Sequence, residues 1–118
     1  NLLEIANTDS NSSYQKMCRE AGLKVHPARF PPAFAEFFIK FLTEKNDCVF
    51  DLFAGSNTTG FVAETLERRW IACELSEEYL KGSIFRFDPK TVEITSNSQP
   101  ENQRLREKNV NFAIHPVT

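Results

Sequence analysis

The residues best suited to chemistry in this chain are two carboxylates, a glycine and a run of small polar side chains: Asp51, Gly55, Ser56, Asn57, Thr58, Thr59 and Glu74. All but Glu74 lie in C-V-F-D-L-F-A-G-S-N-T-T-G, from Cys48 to Gly60. Cys48, Val49 and Phe50 form a short, β-favouring apolar run. Asp51 closes it, Ala54, Gly55 and Ser56 make a small-residue loop, and a helical pattern follows, which reads as strand, tight turn, helix. Gly55 allows close backbone approach or a positive φ, and the hydroxyls and free N–H groups from Ser56 to Thr59 sit where a helix N-terminus attracts an anion. The chemistry implied is capture of a ligand carrying a carboxylate or a phosphate.

Glu74 supplies the second fixed point. It closes the run Trp70-Ile71-Ala72-Cys73, and an acid ending the next strand, about 20 residues after the first βα turn, is placed to accept hydrogen bonds from ribose hydroxyls. The ligand should therefore contain a nucleoside. Gly55 and Gly60 do not make G-x-G-x-x-G, and no Gly-Lys-Ser/Thr follows, so this is neither the dinucleotide fingerprint nor a P-loop.

The elements that must position these residues follow from periodicity. Tyr14, Met17, Cys18 and Ala21 recur at helical spacing, and Gly22 can stop that helix. His26 to Pro32 reads as extended, because a residue before proline is pushed out of the α region; Pro31 and Pro32 then start the next helix. His26 is given no acid or base role. Phe34, Phe37, Phe38 and Phe41 repeat at i, i+3, i+4 and i+7 with Leu42 alongside. This stripe is read as core, since aromatics that stack on nucleic acid usually alternate with basic residues on an exposed sheet.

After the loop, Phe61, Val62, Ala63 and Leu66 give a helix its inner face, and Arg68-Arg69 complement its C-terminal dipole. Ser76 caps a further helix with Glu77 and Glu78 in its first turn and Leu80, Ile84 and Phe87 on one face, ended by Asp88-Pro89. From Lys90 to Thr118 no period is sustained. Mostly irregular structure is expected there, with Val92-Glu93-Ile94 and Val110 to Ile114 as candidate brief strands.

Composition sets bounds. A chain of 118 residues holds one domain at most, and 41% apolar content with eleven Phe supports a real core. A formal charge of −2 argues against a broad phosphate-binding face, because non-specific nucleic-acid affinity comes from clustered Lys and Arg. Cys18, Cys48 and Cys73 are odd in number and form no C-x-x-C or Cys/His cluster. Buried reduced thiols, a cytoplasmic setting and no metal site are expected. No apolar run approaches the roughly 18 residues of a membrane span, and no charged-then-apolar leader is present. The chain starts at Asn1 rather than Met, which points to upstream sequence.

The segment D-L-F-A-G-S-N-T-T-G, preceded by H-P-A-R-F-P at His26 to Pro31 and followed by W-I-A-C-E-L at Trp70 to Leu75, closely resembles the S-adenosylmethionine-binding half of the DNA amino-methyltransferases. These restriction-modification enzymes methylate the exocyclic amine of cytosine or adenine. The motifs stand in the family's order, and the resemblance covers roughly Asn1 to Phe87. It implies a partial Rossmann-like α/β methyltransferase fold, an incomplete parallel sheet flanked by helices. The chain would divide into a connecting segment at 1–31, cofactor-binding βα units at 32–88 and an irregular tail at 89–118.

By the same resemblance, Pro27, Phe30 and Pro31 wall the cofactor, while Phe53, Ala54, Gly55 and Ser56 shape the loop against its methionine and ribose. Thr58 and Thr59 meet the methionine carboxylate, Glu74 holds the ribose hydroxyls and Leu75 packs on adenine. Asp51 hydrogen-bonds either the loop amides or the methionine ammonium, directly or through water. Asn7 and Thr8 lie on the stretch that leads into this half and lines its pocket in the family. The family often has Pro where Leu52 stands and Gly where Asn57 stands; Asn57 removes a flexible position, although Asn enters the left-handed region more easily than most residues. The S-N-T-T-G variant is more similar to the cytosine branch, with adenine the second choice.

The family's catalytic tetrapeptide, Ser or Asp followed by Pro-Pro and an aromatic that stacks on the extruded base, has no counterpart in this chain. Its only Pro-Pro, Pro31-Pro32, is flanked by Phe30 and Ala33. No catalytic residue is therefore expected here. Two parallel strands also cannot form a sheet buried on both faces without further strands. The chain is expected to be the C-terminal part of a larger enzyme or one piece of a split one, inactive alone, with double-stranded DNA gripped by the remainder. Two other readings stay open: a methyltransferase acting on RNA or a small molecule, and a non-catalytic cofactor-binding fragment or subunit.

Overall fold

The structure, a computed structural model, describes residues 2–5, 13–88, 90–96 and 112–116. Asn7 and Thr8 lie outside the described residues. The elements in order are α1 (Ser13–Glu20), α2 (Pro32–Leu42), β1 (Cys48–Asp51), α3 (Thr58–Thr65), β2 (Arg69–Glu74), α4 (Glu77–Ser83) with a 3₁₀ turn at Ile84–Arg86, β3 (Val92–Ser96) and β4 (Phe112–Pro116). Most helix boundaries follow from the signals in the sequence. Gly22, at φ 69°, ends α1 while Leu23 N–H donates to the Cys18 carbonyl at 2.8 Å, closing the orphan carbonyls as a left-handed C-terminal residue does. Pro31 and Pro32 open α2, and the Ser76 hydroxyl accepts from Tyr79 N–H to cap α4.

β1, α3 and β2 form the βα unit that positions the site. β1 pairs parallel with β2, Cys48 opposite Arg69 through Asp51 opposite Ala72. This sets the carboxyl ends of the two strands side by side, the place where open α/β sheets take their ligands.

The sheet differs from the incomplete parallel one expected. Its order is β1-β2-β4-β3, and both pairings beyond β2 are antiparallel. Part of the segment expected to be mostly irregular thus joins the sheet, at the two places where the sequence offered candidate brief strands, Val92-Glu93-Ile94 and Val110 to Ile114. The cause is tertiary: Ile114, fully buried, sits opposite Ala72 and completes the core that the local pattern is too weak to announce. The other core residues are Ala35, Ile39, Val62, Ala63, Trp70 and Leu80. Trp70 is stacked on Phe87 at 4.8 Å between ring centroids and donates its indole N–H to Glu64 at 2.9 Å.

The aromatic stripe of α2 is not core. α2 buries Ala35 and Ile39, whereas Phe34, Phe37 and Phe38 are 41–47% exposed and Phe41 is 75% exposed. Periodicity identifies an apolar face; it does not say which neighbour covers it. For the same reason Cys48, expected in a buried strand, is exposed: β1 lies at the edge of the sheet. Cys73 is half-buried and Cys18 buried, and all three are free thiols.

Candidate cofactor site

The loop between β1 and α3 is held at successive positions. Asp51 Oδ1 accepts from Phe53 N–H at 2.9 Å, an Asx turn that bends the chain as β1 ends. Ala54 N–H donates to the Cys73 carbonyl of β2 at 2.9 Å. Gly55, at φ 54°, donates its N–H to Glu74 Oε2 at 2.7 Å, and Glu74 Oε1 accepts from Ser76 N–H at 2.9 Å. One carboxylate thus joins the loop to the start of α4. Its oxygens offer about four lone-pair positions, so acceptor capacity remains after these two bonds.

A side chain at Gly55 would be strained here. Besides the positive φ, an added Cβ would lie 3.0 Å from His26 Nε2. His26 donates Nδ1–H to the Ala28 carbonyl at 2.6 Å and meets the Tyr79 ring edge-on at 4.6 Å. The preceding Lys24 N–H donates to Glu78 Oε1 at 3.0 Å. The extended H-P-A-R-F-P stretch is therefore strapped across the loop from α4.

Asn57 is the other left-handed residue of the loop, at φ 56°, and its side-chain oxygen accepts from Gly60 N–H at 3.0 Å to cap α3. Ser56 and Thr58 turn inward, each 3% exposed, with their hydroxyls 3.3 Å apart. Thr59 is only half-buried. It lines, with Phe30, Phe34, Phe38, Leu42 and Val49, an apolar groove of about 330 Å³ between α2 and β1 that neither Gly55 nor Glu74 borders. Pro27 is exposed beside His26, and Pro31 is half-buried at the start of α2. Phe53 and Leu75, adjacent in sequence to Ala54 and Glu74, are 82% and 61% exposed.

A carboxylate held against a glycine turn at the ends of two parallel strands occurs in many enzymes, and comparison with known proteins narrows the choice. A model of the DNA methylase family matches residues 3–85. The chain belongs to that DNA methylase family. Type II methyltransferase M.PvuII of Proteus hauseri is 54% identical over 87 residues, 74% of this methylase chain and 26% of its own length. Orphan methyltransferase M.BamHII of Bacillus amyloliquefaciens is 37% identical over 79 residues, 67% of this chain and 28% of its own. DNA adenine methyltransferase YhdJ of Escherichia coli is 40% identical over 63 residues, 53% of this chain and 21% of its own. The solved structure of the PvuII DNA methyltransferase (cytosine-N4-specific) superposes with a TM-score of 0.70 at 48% identity, over 86% of this chain and 34% of that one. The DNA methylase chain thus spans about a fifth to a third of the length of these relatives. Among its described residues no helix is long and apolar enough to cross a membrane.

Two residues in contact with the loop escaped sequence reasoning. His26 stood in a recognisable motif, but nothing local showed that its ring would meet Gly55. Arg86 gave no signal at all: it lies 30 positions from Ser56, yet its guanidinium reaches the loop.

Proposed function

We propose that this chain is the S-adenosylmethionine-binding part of a site-specific DNA methyltransferase that modifies the 4-amino group of cytosine, with the 6-amino group of adenine as the second candidate. The observation that carries the reading is the Glu74 carboxylate held against the Gly55 amide at the carboxyl ends of β1 and β2. The donor set fits such a cofactor. A carboxylate with spare acceptor capacity suits ribose hydroxyls, the exposed Phe53 suits the methionine and ribose, and the exposed Leu75 offers apolar cover for adenine.

When bound, S-adenosylmethionine supplies a sulfonium methyl group to the target amine. This chain's residues bind and orient. Glu74 accepts from the ribose hydroxyls, Thr59 and the N-terminal end of α3 face the methionine carboxylate, and Asp51 and Ala54 fix the loop from which Gly55 meets the ligand. Ser56 and Thr58 shape that loop from within. His26, Pro27, Phe30 and Pro31 form the strap over it. Such positioning raises rate by holding donor and acceptor in attack geometry.

The partner implied is the remainder of the enzyme, which supplies the catalytic tetrapeptide and the grip on double-stranded DNA. The open edge of β1 and the uncovered Phe face of α2 support this. So does the charge of −2, which leaves little phosphate-binding capacity on this piece.

Glu74→Ala in the complete enzyme is expected to weaken S-adenosylmethionine binding by about 1–3 kcal/mol, the range for losing a hydrogen bond to a charged group. Calorimetric titration measures it, and unchanged affinity would remove Glu74 from the site. Nucleoside analysis of methylated DNA decides the base, 4-methylcytosine being the expected product.

A further inference from the structure

Arg86 makes contacts with the loop, at Ser56, that the binding role does not explain. Its Nε donates to the Ser56 carbonyl at 2.6 Å and its Nη2 to the Ser56 hydroxyl at 3.1 Å. Its Cζ lies 4.4 Å from the centre of the Tyr14 ring, within cation–π range, and Tyr14 is only 1% exposed. The guanidinium is thus clamped between α1 and the loop, fixed in orientation by a buried aromatic face.

The place it grips is the costliest part of the loop. Ser56 stands between Gly55 at φ 54° and Asn57 at φ 56°, and a left-handed non-glycine residue costs about 1–2 kcal/mol. With Ser56 buried, its carbonyl needs a partner. Arg86 supplies that partner as a charged donor, the stronger kind. Glu74 holds the preceding amide while Arg86 holds the following peptide, and the two are carried on the same β2–α4 run.

We propose that Arg86, backed by Tyr14, is the positioning residue that locks the cofactor loop in its binding conformation without touching the cofactor. The proposal rests on the cofactor reading above. Arg86→Lys keeps the charge and loses the planar two-point grip. In the complete enzyme it is expected to raise the S-adenosylmethionine dissociation constant about tenfold, the equivalent of one charged hydrogen bond, and to leave DNA affinity unchanged. Without cofactor, it should speed hydrogen exchange about tenfold at Asn57 N–H, which donates to the Ala54 carbonyl at 2.7 Å. Arg68→Lys is the control, because Arg68 is a comparable clamp that ties Leu66 to Thr43, away from the loop. It should lower Tm and move neither readout.

Should Arg86→Lys fail to fold, Ser56→Ala removes the hydroxyl's contacts with Arg86 and Thr58 and keeps the carbonyl contact, and about a threefold rise in both readouts is expected, with Thr58→Val, which removes the Thr58 contact alone, giving a smaller one. Parent values for both readouts in the variant that folds, or an equal response from Arg68→Lys, would overturn the lock. Failure of the unsubstituted enzyme to bind S-adenosylmethionine would sink the cofactor reading instead, and the exchange rates would still judge the lock.

Discussion

Around Gly55 the polar groups of the loop are tied to β2, to Glu74, to Arg86 and to the helix they precede. Along α2, Phe34, Phe37, Phe38 and Phe41 are exposed, and among the described residues nothing pairs with the free edge of β1. The first region is complete within this chain; the second is half of something. Burying one Phe side chain is worth about 1.5–3 kcal/mol, so a face of four is a large unspent driving force. The difference teaches that the loop region carries its own geometry, whereas the α2 face, on the reading proposed above, draws stability from the remainder of the enzyme.

Substitutions can sharpen that contrast. The largest effect is expected on the complete side: Trp70→Ala removes a fully packed ring and its hydrogen bond to Glu64, and should destabilise the complete enzyme by about 3–5 kcal/mol in denaturant unfolding. On the open side the sign should depend on context. Replacing Phe37 and Phe41 by Gln is expected to reduce self-association of the chain alone in sedimentation velocity, yet to destabilise the complete enzyme by about 2–3 kcal/mol. If both contexts gained, the α2 face would not be the buried seam of the enzyme.

The smallest effect concerns pH. Burial pushes the Tyr14 phenol from 10.0 up to about 12. Between those values the unfolded chain gives up a proton that the folded chain keeps, so this contribution to stability is intact below pH 10 and is lost as pH rises toward 12. Tyr14→Phe should flatten the fall of Tm over that window. An unchanged slope would mean that Tyr14 is not the titrating group.

The site was more legible than its surroundings, and for a physical reason. Asp51, Gly55 and Glu74 belong to one βα unit, where strand end, tight turn and second strand end are set by local pattern, and the structure brings Gly55 and Glu74 into direct contact. Asn57 at φ 56° bears out the one local departure that mattered. What failed was long-range. The exposure of the Phe stripe depends on what covers that face, which periodicity does not specify, the pairing of Ile114 with Ala72 crosses a segment with no period, and Arg86 reaches Ser56 from another helix. Spacing alone pointed to a nucleoside-containing ligand with an anionic group; the family resemblance narrowed that to S-adenosylmethionine.

The central claim is that Glu74 and the Gly55 loop hold the cofactor of this DNA methylase. A crystal structure of the complete enzyme with S-adenosylmethionine tests it most directly. The account predicts the ribose hydroxyls in hydrogen-bond contact with Glu74 and the cofactor lying over Gly55; a cofactor seated elsewhere, with Glu74 still bound only to the Gly55 and Ser76 amides, would contradict it.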